Sequence, residues 1–87
     1  MSKHYACPCC GFLTLSEESP GTFEICPVCY WEDDLAQCDN PDLAGGANHV
    51  SLNQARRNFR EFGAASRDVS RFVRKPLKEE IPPSLEG

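Results

Sequence analysis

Cys7, Cys10, Cys26 and Cys29 are the residues with the clearest chemistry: two pairs, each with two residues between its members, separated by fifteen residues. That spacing is the signature of a four-cysteine metal site. Two cysteines three positions apart on a tight turn aim both sulfurs at one point, and backbone N–H groups inside the turn offset their negative charge. Pro8 and Pro27, each directly after the first cysteine of its pair, preset the turn. Gly11 after Cys10 supplies the positive φ by which the chain leaves it. Two such turns complete a tetrahedral shell with zinc–sulfur bonds of about 2.3 Å. Tyr30 holds the position that matches Gly11, so the second turn is expected to leave by a different path, making the two halves inequivalent. The expected cofactor is one zinc per chain, with iron possible because soft thiolates accept either metal.

Two other chemistries use cysteines in this way. Six thiols allow fifteen disulfide connectivities, but residues 1–5 carry no apolar signal segment, and no apolar run is long enough to span a membrane. A cytoplasmic chain is the resulting expectation, and a reducing thiol pool disfavours disulfides. A thioredoxin-like redox turn needs its first cysteine at a helix N-terminus, whereas Gly11 and a β-like run follow here. Cys9, inside the first turn, is expected to point outward, and Cys38 to sit in a loop as a tolerated thiol. His4 and His49 are surplus to a shell that four cysteines already fill.

No catalytic constellation stands out. Four cysteines close the shell that a catalytic zinc leaves open, so the chain is not expected to be an enzyme. Trp31 is expected to pack on the metal turns while Glu32, Asp33 and Asp34 stay solvated. Asn48-His49 before an arginine-bearing helix faintly resembles nuclease sites, but a second histidine or acid at a defined distance is missing. Arg67, Arg71 and Arg74 fall at offsets 0, 4 and 7. On an α-helix they form a basic stripe opposite Val69, Phe72 and Val73, a candidate phosphate contact. The pI near 5.0 and the lack of interleaved aromatics favour a solvated face instead.

These residues must be positioned by a chain of 87, which makes one domain with a core too small to hold a fold without a staple. The net charge of −4 conceals a split. Residues 1–50 set one lysine against eight acids, a balance of −7, and residues 51–78 set eight basic residues against two acids, a balance of +6. Such a layout folds back on itself or pairs head to tail with a second copy.

Residues 12–15 and 22–25 are rich in β-favouring residues and flank a polar loop ending in Pro20-Gly21. They predict a hairpin with Phe23 and Ile25 on one face. Residues 36–50, broken by Asn40-Pro41 and Gly45-Gly46, predict loop; the two glycines let it pass close to the metal domain. Ser51 and Gln54 form a capping-box pattern opening a helix that runs to about Phe62, with Leu52, Ala55, Phe59 and Phe62 on one face and Gly63 closing it. A shorter helix follows from near Ser66, with Val69, Phe72 and Val73 inward, ending before Pro76. The expected organisation is a single cysteine-rich domain over residues 1–75 (ribbon 5–35, loop 36–50, helices 51–75) and an extended tail over 76–87, docked only if Ile81 or Leu85 finds a seat.

Three ordered segments resemble the cysteine-rich CPCC family of small, mostly bacterial proteins. They are Cys7-Pro8-Cys9-Cys10-Gly11; Ile25-Cys26-Pro27-Val28-Cys29 with Trp31-Glu32-Asp33-Asp34; and Gly45-Gly46-Ala47-Asn48-His49-Val50-Ser51-Leu52 running into Ala55-Arg56, Phe59 and Phe62-Gly63. The resemblance implies a small α+β metal-stapled domain: a zinc-ribbon or rubredoxin-like hairpin with two zinc knuckles, then a helical segment. It leaves activity open. Closed site and divided charge together lead us to expect a non-catalytic module that binds another protein. A rubredoxin-like iron electron carrier and a nucleic-acid-binding zinc ribbon are the alternatives.

Overall fold

The computed structural model describes residues 4–83. Its first element pair brackets the first cysteine turn: strand β1 (Tyr5–Ala6) runs antiparallel to β2 (Leu13–Leu15), pairing Tyr5 with Leu15 and Ala6 with Leu13 across an irregularity. The second turn is bracketed in the same manner, by an antiparallel bridge between Ile25 and Glu32 and by N–H···O bonds from Phe23 to Asp33 and from Asp33 to Glu24. The expected pairing of 12–15 with 22–25 is therefore not the one formed. Each Cys-x-x-Cys turn reverses the chain by itself, so the residues on its two sides meet each other first. Residues 16–22 become a crossover between two small hairpins. The Glu24 carboxylate ties it down by accepting from the N–H and hydroxyl of Ser16 and from the Glu17 N–H. Phe23 and Ile25 are both exposed, and Phe23 has φ +58°, which breaks the strand alternation between them.

The segment read as loop contains a short helix, α1 (Leu35–Asp39). Its signal was Asp34, whose carboxylate caps it by accepting from the N–H groups of Ala36 and Gln37. Five residues cannot hold a helix by propensity; burial of Gln37 holds this one. The Gln37 amide donates to the carbonyls of Leu43, Asn48 and Val50 and accepts from Asn48. The Asn48 side chain in turn accepts from the N–H of Glu32 at 2.9 Å and donates to its carbonyl at 2.8 Å, standing in for a strand neighbour. At Gly46 a Cβ would meet Asp34 Oδ2 at 2.7 Å and Gln37 at 2.9 Å, so the loop closes on α1 only because glycine has none.

Helix α2 (Leu52–Phe62) forms as expected, with the Ser51 hydroxyl accepting from the Gln54 N–H and Gly63 left-handed at φ +84°. Only half the capping box is made, because the Gln54 side chain turns to Arg57 and Asn58. Leu52 and Ala55 are buried, and Phe59 packs against the core. The next helix starts after Ser66 but is a 3-10 helix, η1 (Arg67–Phe72). At three residues per turn Ser66, Val69 and Phe72 fall in line. Burial falls along that line, from Ser66 through half-buried Val69, so Phe72 is exposed rather than inward. Residues 78–80, expected as extended tail, form a 3-10 turn, η2 (Lys78–Glu80), packed against β2. Glu80 is buried and takes a bidentate ion pair from Arg74, 2.9 Å at each oxygen. Ile81 is partly buried, and Leu85 lies outside the described residues.

One core joins the two halves. Trp31, Val28, Cys7, Cys9, Cys26 and Cys29 pack with Leu52, Ala55 and Ala65 in a small α+β fold.

Candidate metal centre

Each cysteine turn is held by the same pair of backbone bonds. In the first, Cys7 N–H donates to Phe12 O at 2.9 Å and Gly11 N–H to Cys7 O at 2.8 Å; in the second, Cys26 N–H donates to Trp31 O at 3.0 Å and Tyr30 N–H to Cys26 O at 2.7 Å. Gly11 leaves at φ +83° and Tyr30 at φ +68°. The expectation of inequivalent halves is thus overturned: tyrosine adopts the glycine path. The left-handed region costs a non-glycine residue about 1–2 kcal/mol. The backbone bonds of the turn and the stacking of the Tyr30 ring on Phe72, centroids 5.3 Å apart, hold it there.

The two turns bring the four sulfurs within 4.8 Å of one another. Cys7 and Cys29 sulfurs lie 3.6 Å apart, and Cys10 and Cys26 sulfurs 3.7 Å apart. The operation that exchanges the turns exchanges these two pairs. Both distances are far beyond a disulfide bond and match the edge of a tetrahedron with bonds of about 2.3 Å, which is about 3.8 Å. Cys7, Cys26 and Cys29 are at most 1% exposed, so the cluster is closed to solvent on most sides.

Taken as bare thiols, these sulfurs compete for protons. Hydrogen bonding with Cys10 holds Cys26 well below the ordinary thiol range. The bond to Cys26 pushes Cys10 up, and the bond to Cys10 pushes Cys29 up. Only a cation among them lets all four ionise together, so the donor set fits a soft or borderline divalent metal.

Further groups hold the turns from outside, and sequence reasoning missed them. The Thr14 hydroxyl donates to Cys26 Sγ at 3.0 Å; strand alternation, which places residue 14 on the face of Phe12, was the available signal. Arg56 Nε donates to Pro8 O at 3.0 Å, Ala65 N–H to Cys29 O at 2.8 Å, and Arg74 N–H to Pro27 O at 3.1 Å. These last bonds span long stretches of chain and have no local signal. The C-terminal half thereby clasps both turns.

Other candidate residues fall elsewhere. Cys9 is buried and joins the core as a small apolar side chain, rather than pointing outward. Cys38 is half-buried near Asp33, and burial, with that negative charge, pushes its thiol up to about 11. Neither histidine belongs to the sulfur cluster; His49 is exposed, 3.6 Å from Asp68. Trp31 is fully buried as expected, its Nε1 without an acceptor among the described residues.

Asp33 and Asp34, expected in solvent, are buried. Asp33 accepts from Ser19 Oγ and from the N–H and hydroxyl of Thr22. Burial alone would raise its pKa, but these donors together hold it below the ordinary carboxylate value. Asp34 sits lower too, chiefly through the Ala47 N–H at 2.8 Å.

The α-helical stripe does not form: Arg67 and Arg71 lie on a 3-10 helix, Arg74 lies beyond its end, and each has its own partner. Arg67 lies over the Phe62 ring, Arg71 over Phe72, and Arg74 on Glu80. Two of the three thus stack on aromatic rings that the sequence had not shown to be interleaved.

Fold and cluster together define a small α+β protein with four cysteines positioned to bind a metal ion. A family model described as cysteine-rich CPCC matches residues 5–80, and the chain belongs to that family. No curated protein matches it.

Proposed function

We propose that this chain is a zinc-stapled, non-catalytic interaction module with a zinc-ribbon or rubredoxin-like core. The observation that carries the reading is the convergence of the Cys7, Cys10, Cys26 and Cys29 sulfurs within 4.8 Å of one another, at the only core cluster among the described residues. Zinc supplies a cross-link between the two turns and no reaction, since four thiolates fill its shell. Thr14 balances the charge on Cys26 and the C-terminal clasp holds the turns in register; both are roles of support. The partner is a protein rather than a nucleic acid, since the arginine stripe that favoured phosphates is dispersed.

Metal analysis and visible absorption of protein purified without added metal test the site, with a Cys10→Ser, Cys29→Ser double variant as control. One colourless zinc per chain, lost in the variant, is expected; metal-free folded protein would overturn the reading. Capture of one stoichiometric protein from cell extract tests the module, and salt-labile nucleic acid alone would count against it.

Iron in the same site, for one-electron transfer, is the second reading. The observation that favours it is the equivalence of the two turns, both left through a left-handed residue and both held by the same pair of backbone bonds. A red, bleachable protein from iron-rich medium would bring it forward.

A further inference from the structure

The charge split of the sequence leaves two outcomes, folding back or pairing between copies, and although backbone and amide bonds join the halves, no ion pair among the described residues does. Their three ion pairs are His49–Asp68, Arg67–Glu61 and Arg74–Glu80, and none joins an acid of residues 4–50 to a base of residues 51–78. The acids of the first half turn to N–H, amide and hydroxyl groups instead. Glu24 takes Ser16 and Glu17, Asp33 takes Ser19 and Thr22, Asp34 takes Ala36 and Ala47, and Asp42 takes Asn53. The formal charges of −7 and +6 are therefore not paired across the halves among the described residues, although Glu80 takes up Arg74, and four thiolates on a divalent metal deepen the negative side by about two charges.

Each half also presents an apolar feature. Beside the basic half, Val28 of the second cysteine turn joins Phe59, Gly63, Val73 and Pro76 in lining a groove of about 240 Å³ whose charged walls are Arg74, already paired with Glu80, and Lys75. An apolar cavity of about 150 Å³ holds a benzene ring, so this groove admits an aromatic side chain. On the acidic half, Phe23 and Leu35 are exposed at 60% and 49%. They flank Gly21, whose Cβ would lie 3.4 Å from that of Leu35. The exposed Glu17 and Glu18 belong to the loop that Glu24 ties down beside Phe23.

We propose that a second copy of this chain docks head to tail, its Phe23–Leu35 face with Glu17 and Glu18 seated in the groove beside Lys75. The two surfaces differ, so the contact is heterologous: each added copy leaves one face free at either end, and association runs on to a chain or closes in a ring. Opposite charge steers the encounter and apolar insertion holds it, which makes the contact sensitive to salt. The inference goes beyond the module reading, because it needs no foreign partner.

Sedimentation of the metal-loaded full chain from micromolar to millimolar concentration tests it, at about 0.02 M and about 0.5 M salt. The expected result is a weight-average mass that passes twice the monomer value at low salt and returns to monomer at high salt. Lys75→Glu blocks the groove, and the double change Phe23→Ser, Leu35→Ser blocks the face. Each variant alone stays monomeric, whereas their equal mixture forms a complex of two chains and stops there, through the one intact face and the one intact groove. Metal content equal to wild type establishes that each variant is folded. A monomer at millimolar concentration and low salt overturns the inference, as does a plateau at two copies that Lys75→Glu leaves intact, or a mixture that does not combine. Capture of a foreign partner by the same monomer would leave the module reading standing.

Discussion

Tyr30 concentrates the difference between reading residue types and reading a fold. The left-handed turn at Gly11 was legible because glycine is the ordinary residue there; the same turn at Tyr30 was not, because nothing local announces it. Metal-loaded Tyr30→Gly should unfold in urea within about 1 kcal/mol of wild type, relief of strain offsetting the lost stacking on Phe72 and the looser unfolded chain. Tyr30→Val, β-branched in the same conformation, should lose about 2 kcal/mol. Equal stabilities for the two variants would mean that φ at this position carries no strain.

Asp33 makes the second residue-scale case. The motif showed an acid after a tryptophan, but only the folded chain shows that the acid is buried and surrounded by donors. Its carboxyl lies below the ordinary value of 3.8, so the stability it contributes is complete above that value and is lost as pH falls through the folded value. Asp33→Asn should cost about 1–3 kcal/mol at neutral pH. With metal in excess, the gap to wild type should hold steady down to the ordinary carboxylate range and narrow below it. A gap that is already closing near pH 6 would remove Asp33 as its source.

Among the elements, α2 was legible in its bounds, because the Ser51 cap, the apolar face and Gly63 all agree, though not in the side-chain half of its capping box. Helix α1 was not, since its five residues depend on partners from Leu43 to Val50 that local pattern cannot show. The same holds for η1, whose composition suited either a 3.6 or a 3.0 period until its packing against Tyr30 was known. The loop–α1 unit invites a direct test. Asn48→Ala removes the bridge to Glu32 and leaves the Gln37 amide short of partners, and Gly46→Ala drives a methyl group into Asp34 and Gln37. Each should lower the urea midpoint, corresponding to a loss of about 1–3 kcal/mol of stability. The double variant should lose less than the sum of the two single losses, because both open the same network. Full additivity would show that the loop and α1 are separate units.

At the scale of the molecule, the four-cysteine cluster was the part most legible in the sequence, because its spacing encodes its geometry. The C-terminal clasp was the least, because Arg56, Ala65 and Arg74 reach turns far away along the chain. With cysteines forming so much of the core, chelation should act on the whole fold. Trp31, the single tryptophan, reports it: a strong chelator should shift its emission to the red together with loss of helical circular dichroism, and added zinc should reverse both. A red shift with α2 intact would place the helix outside the metal-dependent unit.

The two hairpins meet through sulfur, and residues 16–18 that run between them are exposed. Continuity of the polypeptide at that point is therefore not what keeps the halves together. A glutamate-directed protease that cuts at Glu17 or Glu18 should leave two fragments travelling as one particle, each bringing two of the four ligands. Chelation should then release the short N-terminal piece, and zinc should draw it back from solution. The crossover acts as a tether that sets the local concentration of one half near the other, and the metal is the fastener that outlasts it.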